Sequence, residues 1–149
     1  MLNCSHHTDC IEHALQHADD ICRKTGVRLT TTRRKILAML WQSHQPRKAY
    51  DLLAELSQGD VSAKPPTVYR ALEFLQEMGL AHKVESLNAY IGCNGCDAHQ
   101  YLICQKCGEV TDLGDAGLAN TVSNKAAERG FKVANSIIEI KGQCEGCVS

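Results

Sequence analysis

The chain has 149 residues, 44% of them hydrophobic, and a formal net charge of −1, enough for one ordinary domain or two small ones with packed cores. No apolar run reaches the roughly 18 residues of a membrane span, and Met1-Leu-Asn-Cys-Ser-His-His lacks the layout of an export signal, so a soluble, globular, cytoplasmic protein is expected. The near-zero charge excludes a uniformly basic nucleic-acid binder but hides an asymmetry. Between Arg23 and Tyr50 stand eight cations (Arg23, Lys24, Arg28, Arg33, Arg34, Lys35, Arg47, Lys48) and no acid, which suits either phosphates or a solvated helical surface.

Ile11, Ala14, Leu15, Ala18, Ile21 and Cys22 recur at helical spacing, so a first helix is predicted over Cys10 to Cys22, with Gly26 placed to end it. Thr30 can cap a second helix whose apolar face is Ile36, Leu37, Leu40 and Trp41. Ala49, Leu52, Leu53 and Leu56 give a short third helix that stops near Gly59. Pro65-Pro66 starts a fourth, running to about Met78, with Val68, Ala71, Leu72, Leu75 and Met78 on one face. That spacing turns Thr67, Tyr69, Arg70 and Glu73 away from the core near the helix N-terminus, where they are candidate DNA readers.

Two extended runs, Leu80 to Glu85 and Ala89 to Ile91, flank a loop at Ser86-Leu87-Asn88. Helices followed by such a hairpin spell a winged helix-turn-helix. The stretch Gly92-Cys-Asn-Gly-Cys-Asp-Ala breaks the composition and reads as a hinge. Beyond it, Tyr101 to Cys104 and Glu109 to Leu113 are predicted strands, Ala116 to Arg129 a helix ending at Gly130, and Phe131 to Lys141 a final strand. The expected class is α+β: residues 1–91 form a winged-helix DNA-binding domain, 92–98 a hinge and 99–149 a zinc-stapled α/β dimerisation domain. The second domain has little core of its own, so a structural metal and dimerisation are both expected.

Nine cysteines, six of them in three C-x-x-C pairs, point to metal rather than to a disulfide framework, because the count is odd and no export signal is seen. Cys104-x-x-Cys107 and Cys144-x-x-Cys147 each offer two thiolates from a tight knuckle, and two knuckles together complete the tetrahedral shell of a structural zinc. A redox-active pair is the rival. Cys93-x-x-Cys96 keeps a further arrangement open, a ribbon of Cys93, Cys96, Cys104 and Cys107, or a role for Cys96 at the junction itself. His82, Cys93, His99 and Asp112 form a second constellation around the hinge, each weak alone but together drawn from both domains. Cys4, His6, His7, Cys10, His13 and His17 hold many potential ligands, and at a terminus they read as solvated side chains or adventitious metal capture.

Arg28-Leu-Thr, Ala49-Tyr-Asp-Leu-Leu, Pro65-Pro-Thr-Val-Tyr-Arg-Ala-Leu, His82-Lys-Val-Glu, Cys104-x-x-Cys-Gly and the final C-x-x-C together resemble the ferric uptake regulator family from about Ile11 through Cys147, its zinc-sensing branch best of all. The resemblance implies a homodimeric, zinc-responsive repressor of palindromic double-stranded operator DNA, controlling zinc uptake and homeostasis. It implies two zinc ions per subunit: one structural on Cys104, Cys107, Cys144 and Cys147, one regulatory on His82, Cys93, His99 and Asp112. It also places Tyr69 and Arg70 at the operator, with Thr67 on the same helix and Tyr50, Arg28 and Arg33 in support. Thr31 stands where many relatives have a proline, and Cys96 is additional.

A thiolate among the regulatory ligands suits Zn²⁺ better than the nitrogen and oxygen sets expected for Fe²⁺ or Mn²⁺. An iron sensor of the same family and a zinc-stabilised adaptor that binds no DNA are the alternatives. An enzyme is not expected: H-E-x-x-H, H-x-E with P-C-x-x-C, and a nucleotide-binding glycine loop are all missing from the sequence.

Overall fold

The computed structural model describes residues 7–59, 63–93 and 98–148, which divide into two compact units. The first holds four helices, α1 (His7–Thr25), α2 (Thr31–Trp41), α3 (Ala49–Gly59) and α4 (Pro65–Glu77), then strands β1 (Ala81–Val84) and β2 (Ala89–Gly92). Ala14, Ala18 and Cys22, at i, i+4 and i+8, are the buried stripe of α1. Thr30 caps α2 by accepting from the Arg33 N–H at 3.3 Å, the role its side chain predicts. Ile36, Leu37 and Leu40 of α2, Leu52 and Leu56 of α3 and Val68, Leu72 and Leu75 of α4 close one core with Leu80 and Tyr90.

Gly79 adopts φ +71°, and the Leu80 N–H donates back to the Leu75 carbonyl at 2.8 Å. This left-handed stop turns the chain from α4 into the wing within two residues. β1 and β2 pair antiparallel, with His82 opposite Ile91. Where the sequence suggests a plain loop, a 3-10 turn at Glu85–Leu87 ends on Asn88 at φ 49°. Arg47 exchanges two 2.7 Å backbone hydrogen bonds with Tyr90, giving the hairpin a one-residue third strand. Gly92 closes the wing against the second helix: a Cβ there would lie 2.5 Å from Trp41 Nε1, so only glycine admits this approach.

The second unit is a three-stranded sheet of order β4-β3-β5 with one helix, built from β3 (Ala98–Cys104), β4 (Val110–Asp112), α5 (Ala116–Ala127) and β5 (Ser136–Gly142). β3 pairs antiparallel with β4 and parallel with β5. It begins at Ala98, three residues before the predicted start, so His99, expected just past the hinge, lies on a strand. β5 starts five residues later than predicted. The Phe131 N–H is taken by the Ala126 carbonyl at 3.0 Å, so Phe131 finishes the turn that ends α5 instead of opening a strand. Asp115 caps α5 by accepting from the Leu118 N–H at 3.2 Å. The buried Gln100, whose role the sequence does not reveal, accepts from the Asp115 N–H at 3.0 Å and so fixes the cap to the sheet.

This second core is thin, as expected: Tyr101, Ile103, Cys104 and Val110 are buried, and α5 contributes no fully buried residue. Leu102 and Ile140 are directly paired across β3 and β5, and both are more than a third exposed.

Candidate metal centre and nucleic-acid interface

The parallel ladder ends with Cys104 opposite Gly142, and the Gln105 N–H extends it by donating to the Gly142 carbonyl at 2.8 Å. Each cysteine pair then bends sharply. The Gly108 N–H donates to the Cys104 carbonyl at 2.8 Å, and the Cys147 N–H to the Cys144 carbonyl at 2.9 Å. The two knuckles meet so that the sulfurs of Cys104, Cys107, Cys144 and Cys147 all lie within 4.8 Å of one another, Cys107 and Cys144 being 3.7 Å apart. Zinc–sulfur bonds of about 2.3 Å at tetrahedral angles separate sulfurs by about 3.8 Å, so this donor set fits zinc in spacing and in chemistry. All four are free thiols.

Their electrostatics are uneven. Backbone N–H groups of Cys107 and Cys144 hold the Cys104 thiol down at about 6, against the opposing effect of burial. The Cys147 thiol is pushed up to about 12, first by its contact with the Cys144 sulfur and then by burial. An entering cation would therefore have to displace the Cys147 proton, whereas Cys104 is already ionised near pH 7. The alternative ribbon needs Cys96, which lies outside the described residues. Within the second unit, the partners of Cys104 and Cys107 are Cys144 and Cys147.

The junction residues divide two and two. On the wing, His82 pairs with Ile91 and Cys93 lies two residues further on, so His82 and Cys93 share a face of the hairpin. Their nitrogen and sulfur donors are within 4.8 Å of each other, and the Cys93 N–H is anchored on the Leu80 carbonyl at 2.9 Å. In the second unit, His99 Nδ1 stands 3.4 Å from Asp112 Oδ2, and the His99 ring stacks on Tyr101 with centroids 5.6 Å apart. The other Asp112 oxygen accepts from the Gly114 N–H at 2.8 Å, which fixes the carboxylate. Each unit thus presents a preformed pair of donors, one N/S and one N/O. Of the N-terminal cluster, Cys4 and His6 lie outside the described residues, while His7, Cys10, His13 and His17 fall on α1; Cys10 is disulfide-bonded, so the expectation of metal rather than disulfide does not hold for this cysteine.

α4 buries Val68, Ala71, Leu72 and Leu75 and turns the exposed Tyr69, Arg70 and Glu73 outward, with Thr67 half-buried. Tyr50 on α3 is 78% exposed, and Arg28, Lys35 and Lys48 are exposed as well. Not every cation of the basic segment faces outward in this way. Arg34 pairs with Asp19. Arg47 pairs with Glu55 at 2.6 Å. Arg33 donates to the Arg28 carbonyl at 2.7 Å and lies over the Phe74 ring at 3.7 Å. Charge counting misses these partners because Asp19 and Glu55 stand outside the acid-free window and Phe74 carries no charge.

A winged helix with an outward-facing fourth helix, followed by a small α/β unit closed by four cysteines, defines a metal-binding winged-helix protein. The model of the ferric uptake regulator family matches residues 24–141, and the chain belongs to that family. It is 39% identical to the zinc uptake regulation protein of Escherichia coli (strain K12) over 92% of this chain and 82% of that protein. It is 31% identical to the peroxide operon regulator of Bacillus subtilis (strain 168), over 91% of this chain and 94% of the relative. Among solved structures, a zinc uptake regulator complexed with zinc and DNA superposes with a TM-score of 0.80 at 38% identity, covering 93% of this chain and 95% of that one. The holo form of XcZur superposes with a TM-score of 0.73 at 33% identity, over 89% and 94% of the two chains.

Proposed function

We propose that the protein is a zinc-responsive transcriptional repressor, not an enzyme, that binds palindromic operator DNA as a homodimer and controls zinc uptake and homeostasis genes from the cytoplasm. The observation that carries this reading is the placement of His82 and Cys93: the DNA-binding unit itself holds a nitrogen–sulfur pair on its wing, donors that favour zinc over iron or manganese. The zinc- and DNA-bound relative supports the same reading.

Two zinc ions per subunit are proposed. Cys104, Cys107, Cys144 and Cys147 hold a structural ion that adds its binding free energy to the folding of a thin core. His82 and Cys93 from the first unit, with His99 and Asp112 from the second, hold a regulatory ion. An ion held by these four residues would supply a tether between the two units, and holding it would favour the orientation in which the paired α4 helices reach successive major grooves. Tyr69 and Arg70 face the bases or phosphates there, with Thr67 beside them and Tyr50, Arg28 and Arg33 in support. Reciprocity requires operator DNA to tighten zinc binding by the same factor, typically about 1–3 kcal/mol. The exposed Leu102–Ile140 pair supports dimerisation through the second unit.

The test is fluorescence anisotropy with a palindromic duplex selected from a random pool. Zinc-dependent, salt-sensitive, sequence-specific binding is expected, and a protein that enriches no sequence at any zinc concentration would refute the reading.

A further inference from the structure

Arg33 belongs to the basic segment, yet its guanidinium is committed inside the first unit. Its centre lies 3.7 Å above the centroid of the Phe74 ring, Nη1 donates to the Arg28 carbonyl at 2.7 Å, and its own N–H is held by the Thr30 cap. Phe74 follows Thr67 and Arg70 at helical spacing of i+7 and i+4, so its side chain lies on the same stripe of α4 as two of the DNA readers. In a helix a long side chain leans toward the N-terminus, which carries the Phe74 ring back toward the turn of Arg70. The planar guanidinium thus links three things: the backbone of Arg28, the first turn of α2 and the reading stripe of α4.

We propose that Arg33 is a positioning residue for the recognition helix: stacked on Phe74, it fixes the pose of α4 on α2 and contributes to operator binding through that pose, without itself contacting phosphate. The proposal rests on the DNA-binding reading above. It separates Arg33 from the other cations of its segment, since a phosphate contact needs only the charge, whereas this role needs the flat, multi-donor guanidinium.

The experiment measures operator affinity at several salt concentrations for the full-length zinc-loaded protein and for Arg33→Lys, Arg33→Gln, Phe74→Leu, Arg33→Lys/Phe74→Leu and Arg70→Ala, each first checked for helix content and melting. Arg33→Lys keeps the charge but loses the planar guanidinium that lies over Phe74 while donating to the Arg28 carbonyl, and should weaken specific binding about three- to tenfold, the order expected for one half-exposed cation–π contact. Phe74→Leu should do the same, and the double variant should be no weaker than the weaker single one, because both remove one interaction. Arg33→Gln should leave the slope of log K against log salt unchanged. Full affinity in Arg33→Lys, or a slope reduced by about 0.9 in Arg33→Gln, the signature of one lost phosphate contact, would overturn the proposal. If the zinc-loaded wild type itself shows no sequence-specific binding, the DNA-binding reading has failed and the proposal with it. If only Arg70→Ala loses affinity, the reading stands and the role of Arg33 does not.

Discussion

Cys107 and Cys144, 37 positions apart in sequence, stand sulfur to sulfur at 3.7 Å. They do so because β3 and β5 run parallel and in register to their last pair, Cys104 opposite Gly142. The ladder delivers both knuckles to one end of the sheet, and whatever holds the knuckles together also holds the C-terminal strand.

Cys144→Ser should therefore cost far more than one thiol. Structural zinc contributes about 10 kcal/mol or more to small domains, and each kcal/mol moves the melting temperature of a short domain by roughly 4–8 °C. Loss of at least one zinc per subunit by atomic absorption is expected, with melting lowered by more than about 10 °C in calorimetry. Unchanged melting would show that the sheet stands without the staple.

The unequal thiols give a pH signature. The Cys104 thiol is depressed from 9.0 to about 6, so it is ionised before metal arrives at pH 7.5 and protonated at pH 5. In a His82→Ala/His99→Ala background, which leaves only the four-cysteine site to fill, zinc capture should thus eject about one more proton at pH 5 than at pH 7.5. Calorimetric titrations in buffers of different ionisation enthalpy count those protons, and equal numbers at both pH values would contradict the depressed thiol.

Gly92→Ala should destabilise the wing. Its new methyl would lie 2.5 Å from Trp41 Nε1, and relief requires moving either the indole or β2. Overpacking of this kind costs about 1–3 kcal/mol, to be read in urea unfolding followed by the fluorescence of Trp41. A variant as stable as the wild type would mean the two parts yield freely.

Ile140→Glu places a charge beside Leu102 on the exposed apolar pair of the β3–β5 face. If that face joins two subunits, burying an unpaired carboxylate there should shift the dimer to monomer at micromolar concentration. Sedimentation velocity measures the shift, and an intact dimer would move the interface elsewhere.

Much of this architecture was legible because its signals are local. Helix spacing, the Thr30 cap, the glycine stops and the cysteine knuckles each depend on a few adjacent residues, and each appears where the sequence puts it. Pairings across distance were not. Nothing near Cys104 specifies that its strand runs parallel to β5, and the alternating apolar residues after Gly130 look like strand from their first member although Phe131 ends the helix. The basic segment shows the same limit: composition counts eight cations, but Asp19, Glu55 and Phe74 reach Arg34, Arg47 and Arg33 through tertiary packing. The wing pair His82 and Cys93 could be named from the sequence, whereas their common face follows only from the β1–β2 register.

The most direct test of the account is operator affinity at one and at two zinc ions per subunit, with wild-type protein dialysed against a chelator that leaves the four-cysteine ion in place and with Cys93→Ser as the matched control. Tight binding is predicted only for the wild type carrying both ions, with the one-zinc protein and Cys93→Ser folded, dimeric and about 5- to 150-fold weaker, the range of a coupling free energy of about 1–3 kcal/mol. Equal affinity at one and two ions would contradict the proposal that zinc at His82, Cys93, His99 and Asp112 governs DNA binding.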